Sequence, residues 1–256
     1  MNIREWGAAL VDLVLPVECA GCVAPPIVGA WCARCFARLG EPTWPVVPGS
    51  PIVLAAGRYS GPLRTALLRY KERGRRDLAV PLAQLLLPGL DLLPGLDLPP
   101  GPDLLRDGSG VPGVPGVPGV PGDKRDPVWL VPAPSRPAAA RARGGDHVLR
   151  LARALAADRP EIRLAPALSL ARGTRDSVGL DPAQRVANLE GRLRVDHEAL
   201  PPTRSRVLLL DDVVTTGATL RACVVALRNA GVRAGSALVI CDATSAPDDH
   251  ERAAAP

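Results

Sequence analysis

The residues with the most chemistry in this chain lie in VLLLDDVVTTGATL, Val207 to Leu220. Four apolar residues, Val207 to Leu210, have the length and continuity of a buried strand. Asp211 and Asp212 follow at its C-terminal end, where open α/β sheets place their ligands. Thr215, Thr216, Gly217, Ala218 and Thr219 then lead into a helix. The unpaired N–H groups and positive dipole end of that helix favour an anion such as phosphate. Gly217 lets the backbone approach it, and the threonine hydroxyls add donors. The carboxylates repel the same phosphate, so they suit neutral donors such as vicinal hydroxyls, or else a divalent cation. A ribose phosphate carries both kinds of group. The Gly-Lys-Ser/Thr ending of a P-loop is absent. The structural alternative is a capped turn that uses Asp and Thr as ordinary turn residues.

A second constellation is Cys19-x2-Cys22 and Cys32-x2-Cys35, two tight pairs with nine residues between them. A two-residue gap turns both thiolates of a pair inward, and two such knuckles complete a tetrahedron around zinc. A segment this short has too little core to fold alone, so a metal would supply its stability. Disulfides or free thiols are the other readings. Four thiolates leave no open coordination position, which makes such a metal structural. Cys223 and Cys241 fall in a helix and beside a strand, as buried apolar residues do.

Positive charge gathers in Arg58 to Arg76 and in Arg136 to Arg153. The net charge of +5 is discounted, because only Lys71 and Lys124 among the 31 basic residues are lysines. That bias is what GC-rich codons produce. Arg136, Arg141 and Arg143 offer guanidinium forks suited to phosphate oxygens, or a solvated helix face. Aromatics make up 3% of the chain, too few for a strong single-strand binder that stacks bases. His147 is a candidate acid or base that fits equally as a polar helix residue; His197 and His250 have no supporting context. No uncharged apolar run is long enough to span a membrane. Asp12, Glu18 and Glu5 spoil the likeness of residues 1–19 to a secretion signal, so a cytoplasmic setting is expected.

The elements that must hold these residues follow from periodicity. Residues 1–45 form the cysteine segment. Residues 50–87 read as a strand, Ile52 to Tyr59, a helix from Pro62 and a second helix from Leu78 to Leu87, together a hood or N-terminal part of the core. Residues 88–127 repeat proline and glycine too often for a helix or ladder, and read as a flexible insertion without chemistry of its own. Residues 128–242 alternate. The strands are Val128 to Val131, Leu164 to Leu170, Val207 to Leu210 and Ser236 to Ile240. The helices are Asp146 to Ala157, Pro182 to Leu189, and one from Ala218 closed by Gly231. Residues 243–256 are a tail. The alternation implies an α/β fold with a parallel sheet covered on both faces.

With these pieces in place, Val207 to Leu220 resembles the phosphoribosyl-pyrophosphate (PRPP) motif of type I phosphoribosyltransferases. The chain further resembles the ComF-type family, amidophosphoribosyltransferase-like proteins associated with competence and DNA uptake. The matching pieces are CAGC and CARC, RYKERGRRDLA (Arg69 to Ala79), VPAPSRPAAARARGG (Val131 to Gly145) and RDSVGLDPAQRVANLEG (Arg175 to Gly191). The resemblance implies a type I phosphoribosyltransferase-like sheet with a small N-terminal zinc ribbon. It implies that Asp211 and Asp212 hold ribose hydroxyls and that Thr215, Thr216, Gly217, Ala218 and Thr219 cradle the 5-phosphate. Arg143 and Gly144, with Arg136, would lie where pyrophosphate binds, and magnesium would accompany PRPP. Residues 172–188 would form a closing lid, with Arg175, Arg185 and Asn188 as contacts. The activity implied is glycosyltransfer to an acceptor that itself attacks the anomeric carbon, so no catalytic side chain is assigned. Gly145, Asp146 and His147 depart from the aromatic-Asn-Gln run of the family, which leaves the acceptor open. The alternative readings on the same fold are a non-catalytic module that handles single-stranded DNA with competence-machinery proteins, or a PRPP-responsive regulator.

Overall fold

The computed structural model describes residues 18–22, 24, 30–93, 96, 126–157, 159–171 and 192–244. Its centre is a five-stranded sheet with every pairing parallel, in the order β1-β7-β6-β2-β3. The strands are β1 (Ile52–Arg58), β2 (Val128–Pro132), β3 (Ile162–Leu164), β6 (Arg206–Val214) and β7 (Ser236–Asp242). A separate antiparallel pair joins β4 (Leu168–Leu170) to β5 (Leu193–Val195). The parallel sheet flanked by helices is the architecture that the alternating pattern implies.

Strand pleating sorts the core into two layers. Leu208 and Leu210 of β6 face one cluster. There they join residues of α2 (Gly61–Glu72), α3 (Ala79–Gln84), α4 (Leu87–Leu92) and α6 (His147–Ala157). Val207 and Leu209 face the other, with Leu220, Cys223 and Leu227 of α7 (Ala218–Asn229). The central strands β6 and β7 are buried almost end to end, which is why they read as continuous apolar runs. Gly231 closes α7 as expected: at φ +81° its N–H meets Arg228 O, and that of Val232 meets Leu227 O.

Three expectations shift. The span Leu164 to Leu170 is two short strands in different sheets, because the chain leaves β3 at Ala165 and re-pairs after Ala167. The helix expected over Leu78 to Leu87 is broken into a 3-10 turn (Arg76–Leu78), α3 and α4, and α4 runs into the proline-rich stretch with a proline in its first turn. Strand β6 does not stop at Leu210 but continues through both aspartates to Val214. The helix expected over Pro182 to Leu189 and most of the repeat stretch lie outside the described residues.

Candidate functional site

The continuation of β6 decides the geometry of the acid pair. On one side β6 stays paired with β7 to its end, Asp211 opposite Val239 and Val214 opposite Asp242. On the other, β2 ends at Pro132 opposite Leu210, where the Ala133 N–H makes a last bond to Leu210 O at 2.7 Å. Beyond that point the chain of β2 turns away, and among the described residues β6 has no strand partner on the edge that carries Asp211 and Asp212. Consecutive strand residues point to opposite faces. Asp211 therefore continues the Val207–Leu209 face, and Asp212 the Leu208–Leu210 face beneath α2 and α6. Both are buried, with 8% and 7% of their surface exposed.

Asp212 is the hub of a polar network. Its Oδ2 lies 2.5 Å from His147 Nε2 and 2.6 Å from Lys71 Nζ. His147 opens α6, and its Nδ1 is 3.1 Å from the Ser135 hydroxyl. Ser135 donates in turn to Asp146 Oδ1 at 2.9 Å. Asp146 accepts the N–H groups of Val148 and Leu149 and so caps α6 with its side chain. The Tyr70 hydroxyl donates to the His147 carbonyl at 2.6 Å. Four segments thus converge on one carboxylate: α2, the loop after β2, the start of α6 and the end of β6.

The electrostatics separate the two acids. Burial pushes Asp211 up to about 8, and the neighbouring Asp212 charge acts in the same direction. Burial also opposes ionisation of Asp212, but the His147 hydrogen bond and the Lys71 ammonium outweigh it and hold Asp212 well below the usual carboxylate range. Burial disfavours the charged form of Lys71, and Asp212 reverses that and raises it above an ordinary lysine. The two acids are thus pushed in opposite directions, Asp211 toward its neutral form and Asp212 toward its ionised form, with an ammonium set on the latter.

The turn into α7 has the shape the sequence suggests. Gly217 stands at the helix N-cap with φ +69°, and among the described residues no side chain caps the helix there. A Cβ at Gly217 would lie 1.9 Å from Val47 Cγ1, so sterics as well as conformation require glycine. Thr215 is exposed, Thr216 and Thr219 are half-buried, and Ala218 is buried. The three hydroxyls have no hydrogen-bond partner among the described residues.

Arg136, Arg143 and Gly144 bracket a short helix, α5 (Pro137–Ala142), with Arg136 at its start and Arg143 at its end. Gly144 closes α5 at φ +66°: its N–H meets Arg141 O at 3.1 Å, and that of Gly145 meets Ala140 O at 2.7 Å. Arg76 donates to Arg143 O at 3.1 Å and lies so close that a Cβ at Gly144 would be 1.7 Å from its Nη2. Arg143 pairs with Glu72 at 2.9 Å. The glycine turn is therefore strapped to the end of α2. The lid candidates Arg175, Arg185 and Asn188 lie outside the described residues.

The four cysteines of the N-terminal segment come together. Cys19, Cys22, Cys32 and Cys35 place their Sγ atoms within 4.8 Å of one another, and Cys22 and Cys32 are 3.7 Å apart. Tetrahedral zinc at about 2.3 Å from each sulfur would set them about 3.8 Å apart. The donor set and its spacing therefore fit a metal such as zinc. No disulfide joins any of the six cysteines. Cys32 caps the short helix α1 (Ala33–Phe36) with its sulfur. The Cys32 N–H donates to Cys19 Sγ at 3.2 Å. Burial opposes a Cys19 thiolate, but this and other backbone donors outweigh it and push Cys19 down to about 6, while burial pushes Cys35 up. The cluster packs on α2, where Arg69 donates to Cys19 O at 2.8 Å and to Glu18 at 2.6 Å.

Sequence reasoning missed Lys71, Ser135 and Asp146, and gave His147 no firm place. A signal was present for two of them. Lys71 follows Leu63 and Leu67, and His147 precedes Leu151 and Leu155, each at four-residue spacing on a buried stripe. A charged or titratable residue on such a stripe needs a partner.

No family model matches the chain, and no curated protein matches it. Among solved structures, it is similar to a ternary substrates complex of hypoxanthine phosphoribosyltransferase from Trypanosoma cruzi. The identity is 17% over 67% of this chain and 69% of that one, with a TM-score of 0.28. Two structures from an analysis of an invariant aspartic acid in HPRTs, a glutamine and a glutamic acid mutant, match at 16% identity with the same coverage and TM-score. At this level of similarity the site geometry, and not the likeness, carries the functional reading. Among the described residues no helix is long and apolar enough to cross a membrane.

Proposed function

We propose that the chain binds PRPP at the open edge of β6 and that its chemistry is of the phosphoribosyltransferase type. The observation that carries this reading is the pairing of two unlike features at one strand end. A buried acid pair is followed within five residues by an uncapped helix N-terminus reached through Gly217. Hydroxyls of a ribose suit Asp211 and Asp212, and the 5-phosphate suits the N–H groups and free hydroxyls of Thr215 to Thr219. Arg143, Gly144 and Arg136 stand on the neighbouring loop as the pyrophosphate side. Magnesium, when bound with the ligand, would screen charge on the leaving diphosphate. The protein's own part is to fix the sugar, supply cations beside the diphosphate and leave the anomeric carbon to an incoming nucleophile. Four cysteines at this spacing are read as a structural zinc site. A ComF-type role in competence and DNA uptake, in a cytoplasmic setting, is the biological frame that the sequence resemblance suggests.

Titration of the full chain with PRPP and Mg2+, followed by pyrophosphate release across a panel of bases, tests the reading. Wild type binds, and Asp211→Ala weakens binding by more than about tenfold, the effect of losing one buried hydrogen-bonding partner. Wild-type protein that is folded yet gives no heat with PRPP contradicts it. Binding without release under any acceptor supports a regulator. Salt-dependent DNA binding retained in Asp211→Ala supports the module.

A further inference from the structure

We propose that Lys71 is a ligand-binding residue of this site, its ammonium resting on Asp212 in the free protein and turning to the diphosphate of the bound ligand. The proposal rests on the PRPP reading above and adds to it a residue from outside the strand-turn-helix motif.

Two cationic or polar groups meet Asp212 Oδ2, and they differ in setting. His147 approaches at 2.5 Å with a side chain 6% exposed, in edge contact with the Tyr70 ring and tethered through Ser135 to Asp146. Both of its ring nitrogens are engaged, one at Asp212 and one at Ser135. Lys71 approaches at 2.6 Å with a side chain 23% exposed, at the last turn of α2. An ammonium has three donors, and the flexible four-carbon stem can redirect them. Asp212 is the only acceptor Lys71 has among the described residues. When His147 stays, Asp212 keeps a partner and the ammonium is free to move without stranding a buried charge.

What surrounds the end of α2 gives that movement a destination. Glu72, the next residue, pairs with Arg143, and Arg76 lies against Gly144. The last turn of α2 and the 3-10 turn after it therefore touch both halves of the proposed site. Lys71 meets the acid pair, and its neighbours hold the glycine turn on the pyrophosphate side. A diphosphate lying between Asp212 and Gly144 would come within the sweep of this one side chain. Binding would exchange the one Lys71–Asp212 ion pair for two charge-assisted contacts, Lys71–phosphate and Asp212–hydroxyl.

The test compares two ligands that differ by the diphosphate. Wild type, Lys71→Met and Lys71→Arg are titrated calorimetrically with PRPP plus Mg2+ and with ribose 5-phosphate, after thermal unfolding shows each variant to be folded. Lys71→Met is expected to bind PRPP about ten- to a hundredfold more weakly, the range for one lost charge-assisted contact. Ribose 5-phosphate should change less than about threefold on the same scale, and Lys71→Arg should recover most of the loss. Should the methionine variant fail to fold, Lys71→Gln keeps a donor for Asp212, removes the charge and carries the same comparison. Equal losses for both ligands would reduce Lys71 to a prop for Asp212, and no loss for either would remove it from the site. In both of these cases the PRPP reading survives. Wild type that binds neither ligand overturns the reading and this inference together.

Discussion

The four-cysteine cluster and the acid-pair site are built in opposite ways. The cluster draws its ligands from residues 19 to 35, a span whose local spacing already brings the sulfurs together. The acid-pair site draws Lys71, His147 and Asp212 from three distant parts of the chain, and only packing of α2 and α6 on β6 unites them. A site of the first kind declares its chemistry in a short motif. A site of the second kind declares half of it, and the other half belongs to the fold. The same difference should govern how each one fails.

The largest effect is expected at the cluster. Removing one thiolate from a tetrahedral site leaves too few ligands for tight binding, and on the zinc reading the metal supplies this segment's stability. Purified wild type is expected to hold about one zinc per chain, and Cys32→Ser to lose nearly all of it. Because Cys19, Cys32 and Cys35 pack in the same apolar cluster as Leu63 and Leu67, the loss should spread to α2 and lower the midpoint of thermal unfolding. Elemental analysis and calorimetry on the same samples check this. A variant with no zinc and an unchanged unfolding profile would show that packing alone holds the segment.

The acid-pair site should fail more locally. His147→Ala removes the fixed partner of a buried, ionised carboxylate and leaves the Ser135 hydroxyl with Asp146 alone. An uncompensated buried charge costs about 3 to 5 kcal/mol, and Lys71 remains to offset part of it, so a loss of about 2 to 3 kcal/mol is expected in urea unfolding. The double variant with Asp212→Asn should recover much of that loss, since the charge is then gone. Additive losses in the double variant would show that the 2.5 Å contact does not couple the two residues.

This contrast also explains what could be read in advance. The parallel sheet, the helix closed by Gly231, the turn at Gly217 and the cysteine knuckles all follow from local rules of period, spacing and backbone conformation. The end of β6 did not, because a carboxylate pair reads as the close of an apolar strand. Only the ladder to β7, hydrogen-bonded as far as Val214 opposite Asp242, carries the strand past it. That error matters, since it hides the pleat that sends Asp211 and Asp212 to opposite faces. In the sequence Lys71 stood within a basic cluster and His147 was a candidate acid or base without a partner, and both lie on apolar stripes. Nothing in the spacing of residues 71, 147 and 212 states that they meet; tertiary packing supplies it. The break between α3 and α4 is of the same sort, since Leu82, Leu86 and Leu90 remain buried on one side while the backbone turns.

The smallest effect, and the sharpest on the acid pair itself, is a pH dependence. Burial pushes Asp211 up to about 8, so between its unfolded value near 4 and that point the unfolded chain has lost a proton that the folded chain keeps. The unfolded state then binds fewer protons, and stability falls as pH rises through this window. Asp212 runs the other way. Held well below the ordinary range by His147 and Lys71, it contributes stability above about pH 4 that is lost only on acidification. Asp211→Asn deletes the first effect and keeps a side chain of the same size that accepts the Asp212 N–H, now bonded at 2.8 Å. The variant should therefore gain on wild type by about 1 to 3 kcal/mol between pH 5 and pH 8, read from urea midpoints at several pH values. Asp211 also bears on Asp212 and Lys71, but the first is held well below this window and the second above it, so the difference follows Asp211. Parallel stability curves would mean that Asp211 ionises as freely as Asp212, and that the two faces of the strand end are not electrostatically distinct.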